Sequence, residues 1–240
     1  MEFRNKVQFN IYLKSLKYIG MGSEGICYYD KISNRVYKIF HEYYENDRIY
    51  FTKEEILQYS GINNKTYIWP NDVIIVDNML IGYTMPYINA KNLYLIDPLK
   101  VSLNGLKKAL ERVNDDTKIL TKNNIKLYDV GYNILYKCNN ISIIDTINYE
   151  NTFVSQEDNM SCINKEIMEF LVDGYFDYFI ENNKVLNNMY NDELTSGIEF
   201  INEFKKVLSE YSGNDINYLY NVKELIRSTS NSGKYARILK

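Results

Sequence analysis

Three glycines, Gly20, Gly22 and Gly25, are spaced G-x-G-x-x-G and constrain this sequence more than any other feature. Two unrelated nucleotide-binding architectures use this spacing, and so do loops that bind nothing, so the residues that follow must decide between them. After Gly25 the β-rich runs ICYYD and RVYKIF flank the polar stretch KISN, which predicts a β-hairpin. A dinucleotide-binding unit needs a helix after the third glycine, and a Walker loop needs G-K-[ST]. Neither follows, so the sequence predicts that the glycines lie between two strands.

The rest of the N-terminal part is predicted to contain one helix and two further strands. Residues 46–60 have a helical period of apolar positions, and residues 67–88 are typical of two strands joined by a turn at Asp77 and Asn78. The predicted order is three strands, a helix and two strands. We therefore expect residues 1–88 to form a domain with a five-stranded sheet and one helix.

The pattern changes near residue 91. Helical periodicity dominates from there to the C-terminus, except for a loop and a short β-hairpin predicted over residues 127–146. Residues 182–192, rich in Asn, are predicted to form an exposed connection. Residues 89–240 are thus expected to form a helical second domain.

Composition and charge exclude several classes of partner. The 240 residues carry a net charge of −3, and Lys and Arg are scattered rather than clustered, which argues against nucleic acid. No apolar run approaches the ~20 residues of a membrane-spanning helix. The N-terminus lacks the pattern of a secretory signal, and the three cysteines form no C-x-x-C pair. These features predict a cytoplasmic protein that associates with neither membranes nor nucleic acid.

The order of elements, together with the residues they carry, resembles the protein-kinase-like fold, in outline close to compact bacterial kinase-like proteins and to aminoglycoside and choline kinases. The resemblance implies an α+β, bilobal architecture with a β-rich N-lobe and a reduced helical C-lobe. It also implies that ATP and Mg²⁺ bind, with Gly20, Gly22 and Gly25 covering the phosphates. Lys38 in VYKIF corresponds to the lysine that neutralises phosphate charge. That lysine needs a carboxylate partner from the next helix, which Glu54 or Glu55 would supply.

The resemblance assigns further residues to the ATP site. Met85 would lie at the back of the adenine pocket, and the backbone of 86–88, around Tyr87, would hydrogen-bond to the base. Asn133 in YDVGYNIL and Asp145 in IIDT would hold Mg²⁺.

The same resemblance makes Asp129 the candidate catalytic base, but the spacing departs from the family pattern. Asp129 stands four residues before Asn133 instead of five, no His precedes it, and Tyr128 occupies the fifth position. The loop is either one residue shorter or without a base. Thr146 and Ile147 replace the usual Phe-Gly after the metal-binding Asp.

These features predict a phosphotransferase that moves the γ-phosphate of ATP to a hydroxyl of a protein or small-molecule acceptor. Two alternatives stay open. One is a pseudokinase scaffold that binds nucleotide or a partner without catalysis, and the other is a kinase-like enzyme that transfers AMP.

Overall fold

The computed structural model describes residues 1–45 and 48–226. Two compact units are distinguished. Met1–Asn89 and Ile144–Asn148 form the first unit, and Ala90–Ile143 and the chain from Tyr149 onward form the second. The strands are β1 (Glu2–Phe3), β2 (Lys17–Met21), β3 (Gly25–Asp30), β4 (Arg35–Phe40), β5 (Asp72–Val76), β6 (Met79–Pro86), β7 (Lys91–Asn92), β8 (Ile125–Lys126), β9 (Ile134–Lys137), β10 (Asn140–Ile143) and β11 (Glu150–Asn151). The helices are α1 (Lys6–Lys14), α2 (His41–Glu45), α3 (Lys53–Leu57), α4 (Leu103–Lys122), α5 (Gln156–Val172), α6 (Asp177–Glu181), α7 (Lys184–Asn191) and α8 (Gly197–Ser212).

The first unit is built on a mixed sheet with the strand order β1-β5-β6-β4-β3-β2. All neighbours are antiparallel except β1 and β5, which are parallel. The hairpins β3–β4 and β5–β6 lie where the sequence predicts them. Their turns contain Asn34, Asp77 and Asn78, all with positive φ, a conformation that Asn and Asp tolerate better than most residues.

The N-terminal segment corrects the predicted count of five strands and one helix. Glu2 and Phe3 add a sixth strand alongside β5, and α1 follows at once. The side chain of Asn5 caps α1 by accepting a hydrogen bond from the Gln8 amide at 2.9 Å. Phe3 and Phe9 are buried and their rings meet edge to face, so burial of these two rings anchors the segment to the sheet.

The helix predicted over 46–60 is also corrected. Helix α2 ends at Glu45, and α3 begins only at Lys53, while Asn46 and Asp47 lie outside the described residues. A capping box at Thr52 and Glu55 starts α3, because the Thr52 side chain and the Glu55 carboxylate satisfy each other's backbone amides. Thr52, a polar residue with high capping propensity, therefore starts a separate helix within the stretch for which the apolar spacing predicts a single one.

In the second unit, α4, α5 and α8 pack against one another. Leu110, Ile163 and Phe204, one from each of these helices, are apolar and have no exposed surface. Strands β10, β9 and β7 form a small sheet, and the β9–β10 hairpin falls within the region predicted for it.

The connection predicted over 182–192 is instead helix α7. Asn183 caps it by accepting hydrogen bonds from the amides of Val185 and Leu186, and Leu186 is fully buried. The asparagines that suggested a loop thus act as a helix cap and as exposed helical positions. Across residues 1–45 and 48–226, no helix combines the length and hydropathy needed to cross a bilayer.

Candidate active site

Strand β4 carries Lys38 in the middle of the sheet of the first unit. Cys27 on β3 is its neighbour on one side and Tyr83 on β6 is its neighbour on the other. Only 5% of Lys38 is exposed. An ammonium buried to this degree requires compensating negative charge, because desolvation of an isolated cation is costly.

Two carboxylates supply that charge. Lys38 Nζ donates to Glu24 Oε2 at 2.6 Å and to Asp145 Oδ1 at 2.5 Å. Burial by itself would lower the pKa of Lys38, but the charges of Asp145 and Glu24 outweigh it and hold that pKa above its usual value. Lys38 is therefore a fixed cation at neutral pH.

Tyr83 and Cys27 complete the immediate surroundings of this cation. The Tyr83 hydroxyl donates to Asp145 Oδ1 at 3.2 Å, and Lys38 Nζ lies 5.7 Å from the Tyr83 ring centroid. Burial raises the pKa of the Tyr83 hydroxyl well above its usual value, and the Asp145 charge adds to this effect. Burial also raises the pKa of the Cys27 thiol to about 11, so both groups are neutral near Lys38.

Glu24 and Asn148 link the glycine-rich loop to the segment 144–148. Asn148 Nδ2 donates to Glu24 Oε1 at 2.5 Å, while Glu24 Oε2 accepts from Lys38. One carboxylate thus holds both the lysine and the segment that carries Asp145.

Hydrogen bonds define the glycine-rich loop. The Gly22 amide donates to the Gly25 carbonyl at 3.0 Å, the His41 amide donates to the Glu24 carbonyl at 3.0 Å, and His41 Nε2 donates to the Gly22 carbonyl at 2.9 Å. The amides of Ser23 and Glu24 at the tip have no backbone partner among the residues described. They are the loop amides that an anion could reach.

The surroundings of Gly25 differ from those of Gly20 and Gly22. A Cβ on Gly25 would collide with the carbonyl of Ile39 on the paired strand, so the sheet itself requires glycine there. A Cβ on Gly20 or Gly22 would meet nothing within 4 Å. Packing within the first unit therefore does not explain these two glycines, and they leave space beside the loop.

Asp145 adopts φ of 63°, in the left-handed region that is uncommon outside glycine. Its neighbours hold it there: Thr146 Oγ1 donates to the Ile68 carbonyl at 3.1 Å, and Ile147 is buried in an apolar cluster. Backbone strain maintained in this way is typical of functional sites.

That apolar cluster also contains Val36 and Met85, which are neighbours across β4 and β6. Met85 is buried. Tyr87 differs from expectation, because its amide donates to the Asn34 carbonyl at 3.2 Å and its ring packs against that of Tyr29 in a tilted arrangement. The Tyr87 N–H is therefore already bonded within the first unit.

The expected pairing of Lys38 with Glu54 or Glu55 is wrong for this structure. Both glutamates are exposed on α3. Glu55 Oε2 accepts from the Thr52 amide at 2.7 Å and from the Thr52 hydroxyl at 2.8 Å, which commits it to the capping box. Glu24 takes the place of the expected helix carboxylate.

Asp129 and Asn133 belong to the second unit and are linked to each other. Asn133 Nδ2 donates to the Asp129 carbonyl at 2.8 Å and so closes the loop. Asp129 has φ of 47° and an exposed side chain that accepts no hydrogen bond from the part of the chain that the structure describes. Its carboxylate does not cap the local turn.

Asn133 and Asp145 lie in different units, and each has side-chain oxygen of the kind that Mg²⁺ prefers as a ligand. Asn133 uses its amide nitrogen within the loop, which leaves Oδ1, and Asp145 uses only Oδ1, which leaves Oδ2. Mg²⁺ prefers such oxygen ligands and is usually bound by one or two carboxylates together with substrate phosphates. Within 1–45 and 48–226 no group of three His, Cys, Asp or Glu side chains could hold a metal without such phosphates.

Sequence reasoning missed Glu24, Asn148, Tyr83 and Cys27. The predicted β3–β4 hairpin contains the signal for Cys27, which lies opposite Lys38 in register. Tyr83 lies on β6, whose pairing with β4 is not local and has no such signal. No comparable signal marks Glu24, because its role depends on how the loop folds back onto β4.

No protein-family model matches the sequence, and no curated protein matches it. Among solved structures, the chain is similar to the kinase domain of PknI from Mycobacterium tuberculosis, with 11% identity, a TM-score of 0.52, and coverage of 79% of this chain and 93% of that one. The chain thus shares a kinase-like fold that combines an N-terminal β-sheet with helices.

Proposed function

We propose that this chain is an ATP-dependent phosphotransferase with bilobal, kinase-like architecture, which transfers the γ-phosphate to a hydroxyl of a protein or small-molecule acceptor in the cytoplasm. One observation carries the proposal: the buried Lys38 ammonium is paired with Asp145 and lies on β4, the second strand after the glycine-rich loop. A buried cation linked to an aspartate with strained backbone is an arrangement suited to phosphate chemistry.

Lys38 has donor capacity for a phosphate. Its ammonium has three N–H donors, and Glu24 and Asp145 accept from two of them. The third is available to a phosphate oxygen, as are the amides of Ser23 and Glu24 at the loop tip. The apolar side chains of Val36 and Met85 would contact the adenine ring.

Mg²⁺ would be held by Asp145 and Asn133. When bound, it would neutralise charge on the phosphates during transfer. The Asp145 carboxylate is held by the Lys38 ammonium, and the Asn133 amide is held by its bond to the Asp129 carbonyl. Each side chain therefore has an oxygen atom that could serve as a ligand.

Asp129 would act as the base. In the proposed step the acceptor oxygen forms a bond to the γ-phosphorus, the bond between that phosphorus and the β–γ bridging oxygen breaks, and ADP leaves with that electron pair. The carboxylate of Asp129 takes the proton of the acceptor hydroxyl. The exposed, unpaired carboxylate supports this assignment more than a purely structural role in the turn.

A nucleotide titration tests binding. We expect ATP to bind the full chain more tightly with Mg²⁺ than without it, and we expect Asp145→Asn to remove the Mg²⁺ dependence. Asp115→Asn, on the exposed face of α4, is the matched control and should bind like the wild type. Weak binding that ignores both Mg²⁺ and Asp145→Asn would disprove the metal role.

A turnover assay separates catalysis from scaffolding. Transfer of the γ-phosphate or release of phosphate should be lost in Asp129→Asn while ATP affinity is retained. ATP binding by the wild type without any turnover would instead favour a nucleotide-binding scaffold. Mass spectrometry of modified protein distinguishes an added phosphate from an added AMP.

A further inference from the structure

The Glu24 carboxylate has two partners that matter for the candidate active site. Its Oε2 lies 2.6 Å from Lys38 Nζ, and its Oε1 accepts from Asn148 Nδ2 at 2.5 Å. Charge-assisted hydrogen bonds of this length are among the stronger ones in proteins. Both oxygens of a single side chain are therefore committed to the site.

Position makes Glu24 unusual among the carboxylates of the first unit. It lies between Gly22 and Gly25, in the loop itself, and its backbone carbonyl is held by the His41 amide. The carboxylates of the following helix are not available, because Glu54 is exposed and Glu55 forms the capping box with Thr52. Lys38 thus takes its second carboxylate from the loop that precedes it.

We propose that Glu24 is the positioning residue that holds Lys38 for phosphate binding, so that the glycine-rich loop itself carries the anchor of the lysine. The proposal deepens the proposed function and rests on it for the role of Lys38 toward ATP. Glu24 does not contact the reacting atoms; it acts through Lys38 and through Asn148.

A consequence is that loop position and lysine orientation are coupled. Displacement of the loop by a few ångströms would take Glu24 away from Lys38 and leave Asp145 as the partner. The ammonium would then be drawn toward Asp145, because one carboxylate would hold it from one side only. A carboxylate on a helix would hold the lysine independently of the loop.

The charge state of Lys38 gives a readout that does not depend on ATP. The titratable groups that face Lys38 are Glu24 from the loop, Asp145 from the segment 144–148, Tyr83 from β6 and Cys27 from β3. Tyr83 and Cys27 are neutral at pH 7 because burial raises the pKa of each, that of Cys27 to about 11. Glu24 and Asp145 therefore supply the negative charge that keeps the Lys38 pKa high. The Cys27 thiol ionises in the alkaline range in which Lys38 titrates, so all labelling is done in a Cys27→Ala background.

Competitive labelling with acetic anhydride over a pH series measures this pKa, with the Lys38 peptide quantified by mass spectrometry. Glu24→Gln keeps the size of the side chain and removes its charge. We expect it to lower the labelling midpoint of Lys38 by about one pH unit, which is about tenfold more reactive amine at a given pH. Glu24→Asp should restore most of the wild-type midpoint, and the matched control Glu54→Gln should leave it unchanged.

Two labelling results would overturn the proposal. The first is a Lys38 midpoint in Glu24→Gln equal to that of the wild type. The second is an equal shift in Glu54→Gln, which would mean that general surface charge and not the local pair is measured. Circular dichroism of each variant confirms that the fold is intact before labelling.

The nucleotide titration then tests the positioning role. Glu24→Gln should weaken Mg·ATP binding by about tenfold (~1.4 kcal/mol), and Glu24→Asp should recover part of the loss. Tighter binding in Glu24→Gln would show that Glu24 competes with phosphate for Lys38, and would overturn the proposal. Absence of ATP binding by the wild type would refute the proposed function, whereas the labelling result would still decide whether Glu24 holds Lys38.

Discussion

Gly25→Ala tests whether the sheet itself requires the third glycine. Gly25 begins β3 and pairs with Phe40 on β4. A Cβ at this position would overlap the carbonyl oxygen and carbon of Ile39, which are backbone atoms within a ladder and cannot rotate away as a side chain could. To accommodate the Cβ, β3 and β4 must move apart or change the register of their pairing.

The magnitude follows from that geometry. Overpacking typically costs about 1–3 kcal/mol, and losing one ladder hydrogen bond adds about 1 kcal/mol. We therefore expect Gly25→Ala to lower the free energy of unfolding by about 3 kcal/mol. In a chain of this size that corresponds to a fall in Tm of about 6–12 °C.

Gly22→Ala is the matched control, because an added Cβ meets nothing within 4 Å. Its effect on the free energy of unfolding should stay within about 1 kcal/mol, on the side of stabilisation. Thermal unfolding followed by circular dichroism compares the two variants. Equal Tm values for Gly25→Ala and Gly22→Ala would refute the claim that the sheet requires glycine at position 25 but not at position 22.

Three further predictions address other parts of the chain. Phe204→Ala should lower the free energy of unfolding by about 3–5 kcal/mol, measured by urea titration; a loss below 1 kcal/mol would contradict its place in the core. Asn183→Ala should cost about 1 kcal/mol and speed hydrogen exchange within 184–191, whereas unchanged exchange there would mean that the cap contributes little. Lys38 stabilises the fold fully below its ordinary pKa of 10.5, and this contribution is lost as the pH rises through the raised pKa of the folded state. The stability difference between the wild type and Lys38→Met should therefore be constant up to pH 10.5 and narrow above it in urea titrations, and a difference that widens there would contradict the ion pair.

Local patterns were sufficient to predict much of the first unit. The hairpins around Asn34 and around Asp77–Asn78 follow from β-rich runs separated by residues that tolerate positive φ, and both pieces of information are local. The break of the predicted helix at Thr52 is also local, because Thr52 and Glu55 have the spacing of a capping box. The apolar spacing of 46–60 predicts one continuous helix, but the capping box instead makes α3 begin at Lys53.

Contacts between distant parts of the chain could not be predicted in the same way. Strand β1 has only two residues, and its pairing with β5 depends on residues more than seventy positions away. The resemblance implies that the carboxylate partner of Lys38 lies on the next helix. Glu24 reaches Lys38 through the folding of a loop, which neither periodicity nor spacing describes.

The assignment of Ile144–Asn148 to the first unit has a consequence for synthesis of the chain. The polypeptide passes from one unit to the other after residues 89, 143 and 148. A nascent chain that ends at residue 89 lacks Ile147 for its apolar cluster and Asp145 as the counterion of Lys38. Domains fold as units during synthesis. The core of this sheet is therefore complete only after nearly sixty further residues, 90–148, have been synthesised. A ribosome-bound series of increasing length should therefore become protease-resistant over 1–89 only once residue 148 has emerged.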